Sequence, residues 1–167
     1  MKTIWKGQRG FSLIELLVAI PIAALISTAA TGAIFQIFTS NRTGNDVIAF
    51  RQVQTAGDWV SRDALQAQSI PQEGDIPFPF GFNWTDWDND THEVVYSLIN
   101  MPSGTLKQLQ RQETIGVDKT TIIVGQYIDH SQTSCNRTGN IIAFTITASV
   151  AQQTATRIYE IKPRPIS

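Results

Sequence analysis

Apolar residues run almost unbroken from Phe11 to Phe38, and Glu15 is the one ionisable side chain among them. At about 1.5 Å per residue this stretch predicts a helix ~42 Å long, enough to cross a hydrocarbon core of about 30 Å. It is apolar on all sides, as a segment surrounded by lipid or by other helices must be. Pro21 lies inside it and lacks the N–H that would meet the Leu17 carbonyl, so a kink is expected there. Ala23, Ala24, Ser27, Thr28, Ala30, Thr31 and Gly32 form a small-residue stretch suited to close helix–helix contact. The polar run from Thr39 to Asn45 marks the end of the apolar segment, and Gly44 is placed to loosen the helix.

Periodicity then resumes. Val47, Phe50, Val53, Ala56, Val60, Ala64 and Ala67 recur every three or four residues among polar ones, which predicts an amphipathic helix over 39–70. Pro71 disfavours helical geometry in Ile70 and should close it. From Pro71 to about His92 the breakers Pro71, Gly74, Pro77, Pro79 and Gly81 predict a loop. That loop carries Phe78, Phe80, Phe82, Trp84 and Trp87, expected as a lid over the core or as an exposed partner-binding cluster. Runs rich in Val, Ile, Thr and Tyr follow at 93–100, 105–111, 120–128, 141–150 and 156–162, separated by turn residues that include 136–140. The mixed alternation of the last suggests an edge strand. The layout is α+β: one long N-terminal helix, hydrophobic and then amphipathic, packed on a head over 71–167 that combines the loop with a mostly antiparallel sheet.

The chain of 167 residues is one domain's worth of material plus a membrane segment. Lys2, Lys6 and Arg9 precede the apolar run with no acidic residue among them, so the N-terminus is expected inside the cytoplasmic membrane and the head outside. Glu15 is the anomaly, because a lone carboxylate in a membrane helix costs about 2.5–3.5 kcal/mol and calls for a partner. Cys135 is the only cysteine, which excludes an intramolecular disulfide and reads as a small buried hydrophobe.

The run from Gly10 through Phe11, Ser12, Leu13, Ile14 and Glu15 to Ile20, after a short basic leader, resembles the processing site of type IV pilins and type II secretion pseudopilins. The resemblance implies cleavage between Gly10 and Phe11 by a prepilin peptidase, N-methylation of Phe11, and an assembly role for Glu15. It makes residues 1–10 a cytoplasmic leader and 11–38 a transmembrane and filament-core helix. Removing the leader takes three of the 13 basic residues and none of the 14 acidic ones, so the net charge moves from −1 to −4. That acidity argues against a nucleic-acid surface. A basic patch would need the sheet to gather Arg111, Lys119, Arg137, Arg157, Lys162 and Arg164. Pro21, at the eleventh position after the cut, departs from the usual family pattern. With the lack of paired cysteines it points to a minor pilin or pseudopilin, loosely similar to the J-type minor pseudopilins. The implied partners are sibling subunits, inner-membrane assembly machinery and membrane lipid.

Asp86, Asp88 and Asp90 form the one dense oxygen-ligand run. An EF-hand would need Gly at Thr91 and an acid at Ser97, so that motif fails. Some pseudopilins bind calcium, which keeps these three as weak metal candidates beside the expectation of a solvated turn without a cofactor. His92-Glu93 begins like a zinc-protease pair, but Tyr96 stands where the second histidine belongs. No catalytic motif is present, so a structural subunit rather than an enzyme is expected. The alternative is a single-pass membrane-anchored extracytoplasmic binding protein that does not polymerise.

Overall fold

A computed structural model of the protein describes residues 12–163. One helix, α1 (Leu13–Gln66), is followed by eight strands: β1 (Gly74–Ile76), β2 (Phe80–Thr85), β3 (Thr91–Asn100), β4 (Lys107–Ile115), β5 (Asp118–Ile128), β6 (Ser134–Thr138), β7 (Ile141–Val150) and β8 (Gln153–Ile161). The fold is α+β with an antiparallel sheet. The chain divides into two compact units, up to Asn41 and from Arg42 onward.

In the first unit α1 is helical through Pro21, and its apolar side chains are exposed, Leu13 at 83% and Phe35 at 73% among them. Its most apolar 18-residue window has a mean hydropathy of 2.2 with no residue buried, so it is long and apolar enough to span a membrane. The hydroxyls do not conflict with that. Ser27, Thr28, Thr31 and Thr39 each donate to the carbonyl four residues earlier, at 2.8, 3.0, 2.8 and 3.0 Å. Each is thereby satisfied within the helix rather than by water.

In the second unit α1 buries Ala49, Val53, Ala56, Gly57, Val60, Asp63 and Ala64 against the sheet. The predicted stripe is rotated at its start: Val47 and Phe50 remain about half exposed while Ala49 is fully buried. Two helical residues turn the chain by about 200°, so Val47 and Ala49 occupy opposite sides. The helix also ends sooner than Ile70. The Gln68 and Ser69 amides leave the helical ladder and donate to the Asn83 carbonyl at 2.8 and 3.1 Å, so α1 stops at Gln66. Small residues set the helix–sheet distance. A Cβ on Gly57 would lie 2.0 Å from the Tyr159 ring, so only glycine admits that ring against the helix.

The sheet has two lobes. β2, β3, β4 and β5 form an antiparallel meander, and β7 pairs β6 and β8, with β1 outside β6. The lobes meet at Ile128 and Ala148, where β5 touches β7. β8 pairs β7 alone and is an edge strand. Inward positions alternate: Val94 and Tyr96 on β3, and Phe144, Ile146 and Ala148 on β7, are fully buried. Each such Val or Ile side chain contributes roughly 1.5–3 kcal/mol of transfer free energy.

Two expectations are corrected here. The region expected as a loop from Pro71 contains β1 and β2, and β2 alternates Phe80, Phe82 and Trp84 into the core. Gly74 opens β1, Pro77 and Pro79 lie between the two strands, and Gly81 pairs with Val95 within β2, so none interrupts the ladder. Residues 136–138, expected as a turn, belong to β6 and pair Asn136 with Asp75 and Ala143. The turn proper is narrower and uses Gly139 at φ 58°.

Candidate functional site

The N-terminal segment comes first. Gly10 and Phe11 lie outside the described residues. At the start of α1 the Ser12 amide donates to Glu15 Oε2 at 2.8 Å, and the Glu15 amide donates back to Ser12 Oγ at 3.3 Å. This reciprocal pair is a capping box: it satisfies two of the amides that a helix start leaves open. It also places a carboxylate at the positive end of the helix dipole. Part of the cost of Glu15 in an apolar helix is therefore met within its own chain, which the sequence reading missed. The Ser-x-x-Glu spacing at 12–15 was the available signal.

A second constellation, within the head, escaped the sequence reading altogether. Asp63 of α1 is 2% exposed and accepts from Arg111 Nε at 2.7 Å, Arg111 Nη2 at 3.2 Å and Tyr96 Oη at 2.5 Å. Arg111 Nη1 donates to Glu113 Oε2 at 2.9 Å. Glu113 Oε1 lies 3.0 Å from His92 Nδ1, and His92 Nε2 lies 3.3 Å from Asp86 Oδ2. Trp59 covers the Arg111 guanidinium at 4.9 Å, and Trp84 stacks on the His92 ring at 5.0 Å. One chain of ionic contacts thus links α1, β3, β4 and the β2–β3 turn.

The electrostatics follow from those contacts. Burial and the Asp63 charge push the Tyr96 phenol up, so it stays protonated and donates. Burial opposes charge on Arg111, but its bonds to Asp63 and Glu113 prevail and hold it cationic. Its guanidinium holds Glu113 below the usual carboxylate value. Glu113 chiefly, with Asp86, holds His92 above the ordinary 6.5. This arrangement orders charge between the helix and the sheet.

The acidic run is a turn closed by its own backbone. Asp86 Oδ1 accepts from the Asp88 and Asp90 amides, each at 3.0 Å, and the Asp86 amide donates to the Asp90 carbonyl at 3.0 Å. The Asp90 amide is the main cause that keeps the Asp86 carboxyl low. Among the described residues no group of three or more His, Cys, Asp or Glu side chains is arranged to hold a metal ion.

The remaining candidates disperse. Arg111 is buried, Arg137 donates to the carbonyls of Pro71 and Gly139, and Arg157 lies over Phe50 and Tyr159. Arg164 lies outside the described residues. Cys135 is 2% exposed, and burial pushes its thiol up to about 12. Of the aromatic cluster only Trp87 is fully presented, at 91% exposure.

Fold and N-terminus together define a class: an α+β protein with a single N-terminal helix able to cross a membrane, whose antiparallel head follows in the same chain. Residues 5–31 match the family model described as the prokaryotic N-terminal methylation motif. The N-terminus thus carries the sequence pattern of a prokaryotic N-terminal methylation motif, on the stretch that opens the apolar helix. No curated protein and no solved structure matches the chain.

Proposed function

We propose that the protein is a structural subunit, a minor pilin or pseudopilin, of a type IV pilus or type II secretion filament, and not an enzyme. In this reading a prepilin peptidase cuts between Gly10 and Phe11 and the new Phe11 amino group is methylated. The inner-membrane machinery then draws the apolar helix out of lipid into a bundle of sibling helices, with the heads outside. Glu15 pairs there with a neighbour's Phe11 amino group and fixes axial register. A J-type minor pseudopilin is the subclass nearest in layout.

The observation that carries this reading is the join of a processing motif to an exposed apolar helix that holds one carboxylate. A tethered binding protein has no need for an acid at that depth, whereas a helix bundle with a cationic partner does. Mass spectrometry of the purified protein tests it. The expected chain begins at N-methylated Phe11. An intact leader, in cells with a working prepilin peptidase, would leave the tethered binding protein as the reading to keep. A bulky residue at Gly10, such as Gly10→Val, should leave the heavier precursor on a gel.

A further inference from the structure

Outside the apolar helix, the two most exposed large hydrophobic side chains among the described residues are Val117 at 97% and Trp87 at 91%. The turns that carry them are neighbours in the fold. Trp87 lies in the β2–β3 turn and Val117 in the β4–β5 turn, and the pairing of His92 with Ile115 sets those two turns side by side at one end of the sheet. That is the end at which α1 stops, since Gln68 of the chain leaving α1 bonds the Thr85 backbone. An indole and an isopropyl group held in water on neighbouring turns are unfavourable for a free head, and exposed apolar side chains gathered at one end of a fold mark a contact surface.

The surrounding charge selects the occupant. Asp88, Asp90, Glu93 and Asp118 are all exposed, and their carboxylates bond to no described residue, whereas Asp86 is engaged in its turn. Lys119 is the one basic residue in these turns and strand ends. The turn itself is held in place from beneath, by Asp86 on His92 and by the Trp84–His92 stack. A second copy related by a two-fold axis would bring the same acidic rim, and a nucleic acid or anionic lipid would bring more negative charge. Each is repelled. We infer that this end of the head docks on a different protein, one whose surface is rich in Lys and Arg around an apolar recess that takes the Trp87 indole. The inference is independent of filament assembly, because a tethered head presents the same end.

The test places p-benzoylphenylalanine at position 87 of the full-length chain in its native cells, followed by irradiation and peptide mapping of the adduct. Trp87 packs against nothing, so the head folds with the replacement. The expected adduct joins position 87 to a Lys/Arg-rich segment of another protein. Its yield should fall about tenfold when Asp88, Asp90 and Asp118 are all changed to Asn. Those three carboxylates hold no part of the fold, and an unchanged near-ultraviolet spectrum verifies it. Adducts only with lipid, only with a second copy, or with no protein would overturn the inference, as would a yield indifferent to the three Asn substitutions. N-terminal processing is read on the same material, so failure here is distinguishable from failure of the pilin reading.

Discussion

The Asp63 carboxylate and the Arg111 guanidinium, 48 positions apart in the chain, form a two-bond ion pair that both side chains bury almost completely, at 3% and 6% exposure. Taking two charges out of water is costly, and the attraction offsets it only when the remaining hydrogen-bonding groups are also met. Here each charged atom has a partner: Tyr96 completes the Asp63 shell, and Glu113 accepts from the remaining Arg111 nitrogen. The pair fixes α1 on one register of β4, because a shift of one residue would turn Arg111 to the opposite face of the sheet.

Asp63→Asn leaves Arg111 buried with its charge only partly met, so the head should lose about 3–5 kcal/mol. Replacing the group as a unit, with Asp63→Leu, Tyr96→Phe and Arg111→Met, takes a partner only from Glu113 Oε2, which water can reach, and should cost less than Asp63→Asn alone. Urea unfolding of the full-length chain in detergent, followed by near-ultraviolet dichroism, measures both. A triple variant less stable than the single one would show that the network stabilises the head on balance.

His92 and Glu113 give the head a pH window. The folded pKa of His92 is raised above its ordinary 6.5 by Glu113 first and then by Asp86. Its contribution is complete below about pH 6.5 and fades as the pH rises through the folded value. Glu113 is lowered from 4.5, chiefly by Arg111, so its contribution is present above about pH 4.5 and fades as the pH falls through the folded value. Stability from this cluster should therefore be greatest between about pH 4.5 and 6.5. Unfolding midpoints recorded from pH 4 to pH 9 should decline on the alkaline side, and His92→Gln should flatten that decline. An alkaline limb unchanged in His92→Gln would remove His92 as its cause.

How much of this was legible follows from which physical signal each element carries. The apolar run to Phe38 and the Val/Ile/Thr strands from Glu93 onward announce themselves through composition and alternation. β2 did not, because Pro77, Pro79 and Gly81 crowd its start although Phe80, Phe82 and Trp84 alternate in period two. β6 hid behind Asn136, Arg137 and Thr138, polar residues that pair along both edges of a short strand. Asp63 and Arg111 were readable in principle. Asp63 falls three residues after Val60 on the apolar stripe, and Arg111 two after Leu109 on the inward face of β4. A charge at each inward position signals a partner across the core, but only the fold shows that the two meet.

Gly57 is a case where two effects oppose. In an exposed helix Gly→Ala gains up to about 1 kcal/mol of propensity. At this position the new methyl would meet the Tyr159 ring at 2.0 Å and displace a phenol that donates to the Val53 carbonyl at 3.2 Å. Overpacking of this kind costs about 1–3 kcal/mol, before the lost hydrogen bond is counted. Gly57→Ala should therefore lower the unfolding midpoint. In a Tyr159→Leu background the same change should be close to neutral, and a double-mutant cycle on the midpoints checks the coupling.

The last prediction separates two roles for Glu15, since its carboxylate caps its own helix and, in the proposed assembly, faces a neighbour's Phe11 amine. Gln at position 15 keeps the cap, because an amide oxygen accepts from the Ser12 amide as a carboxylate does, but it removes the charge. Ser12→Ala does the reverse, giving up the bond to the Glu15 amide at a cost of about 1 kcal/mol while leaving the charge in place. If pairing with an amine governs assembly, Glu15→Gln should be processed normally yet enter filaments as poorly as Glu15→Val, and Ser12→Ala should enter nearly as well as wild type. If capping governs it, the order inverts. Immunoblots of sheared filaments against the membrane fraction read the difference, with the processed band as the control for cleavage. The physical reason to expect the first order lies in the magnitudes. A cap on one exposed helix end is worth about 1 kcal/mol, whereas an unpaired carboxylate in hydrocarbon costs about three times as much, and only a cation from another chain removes that cost in full.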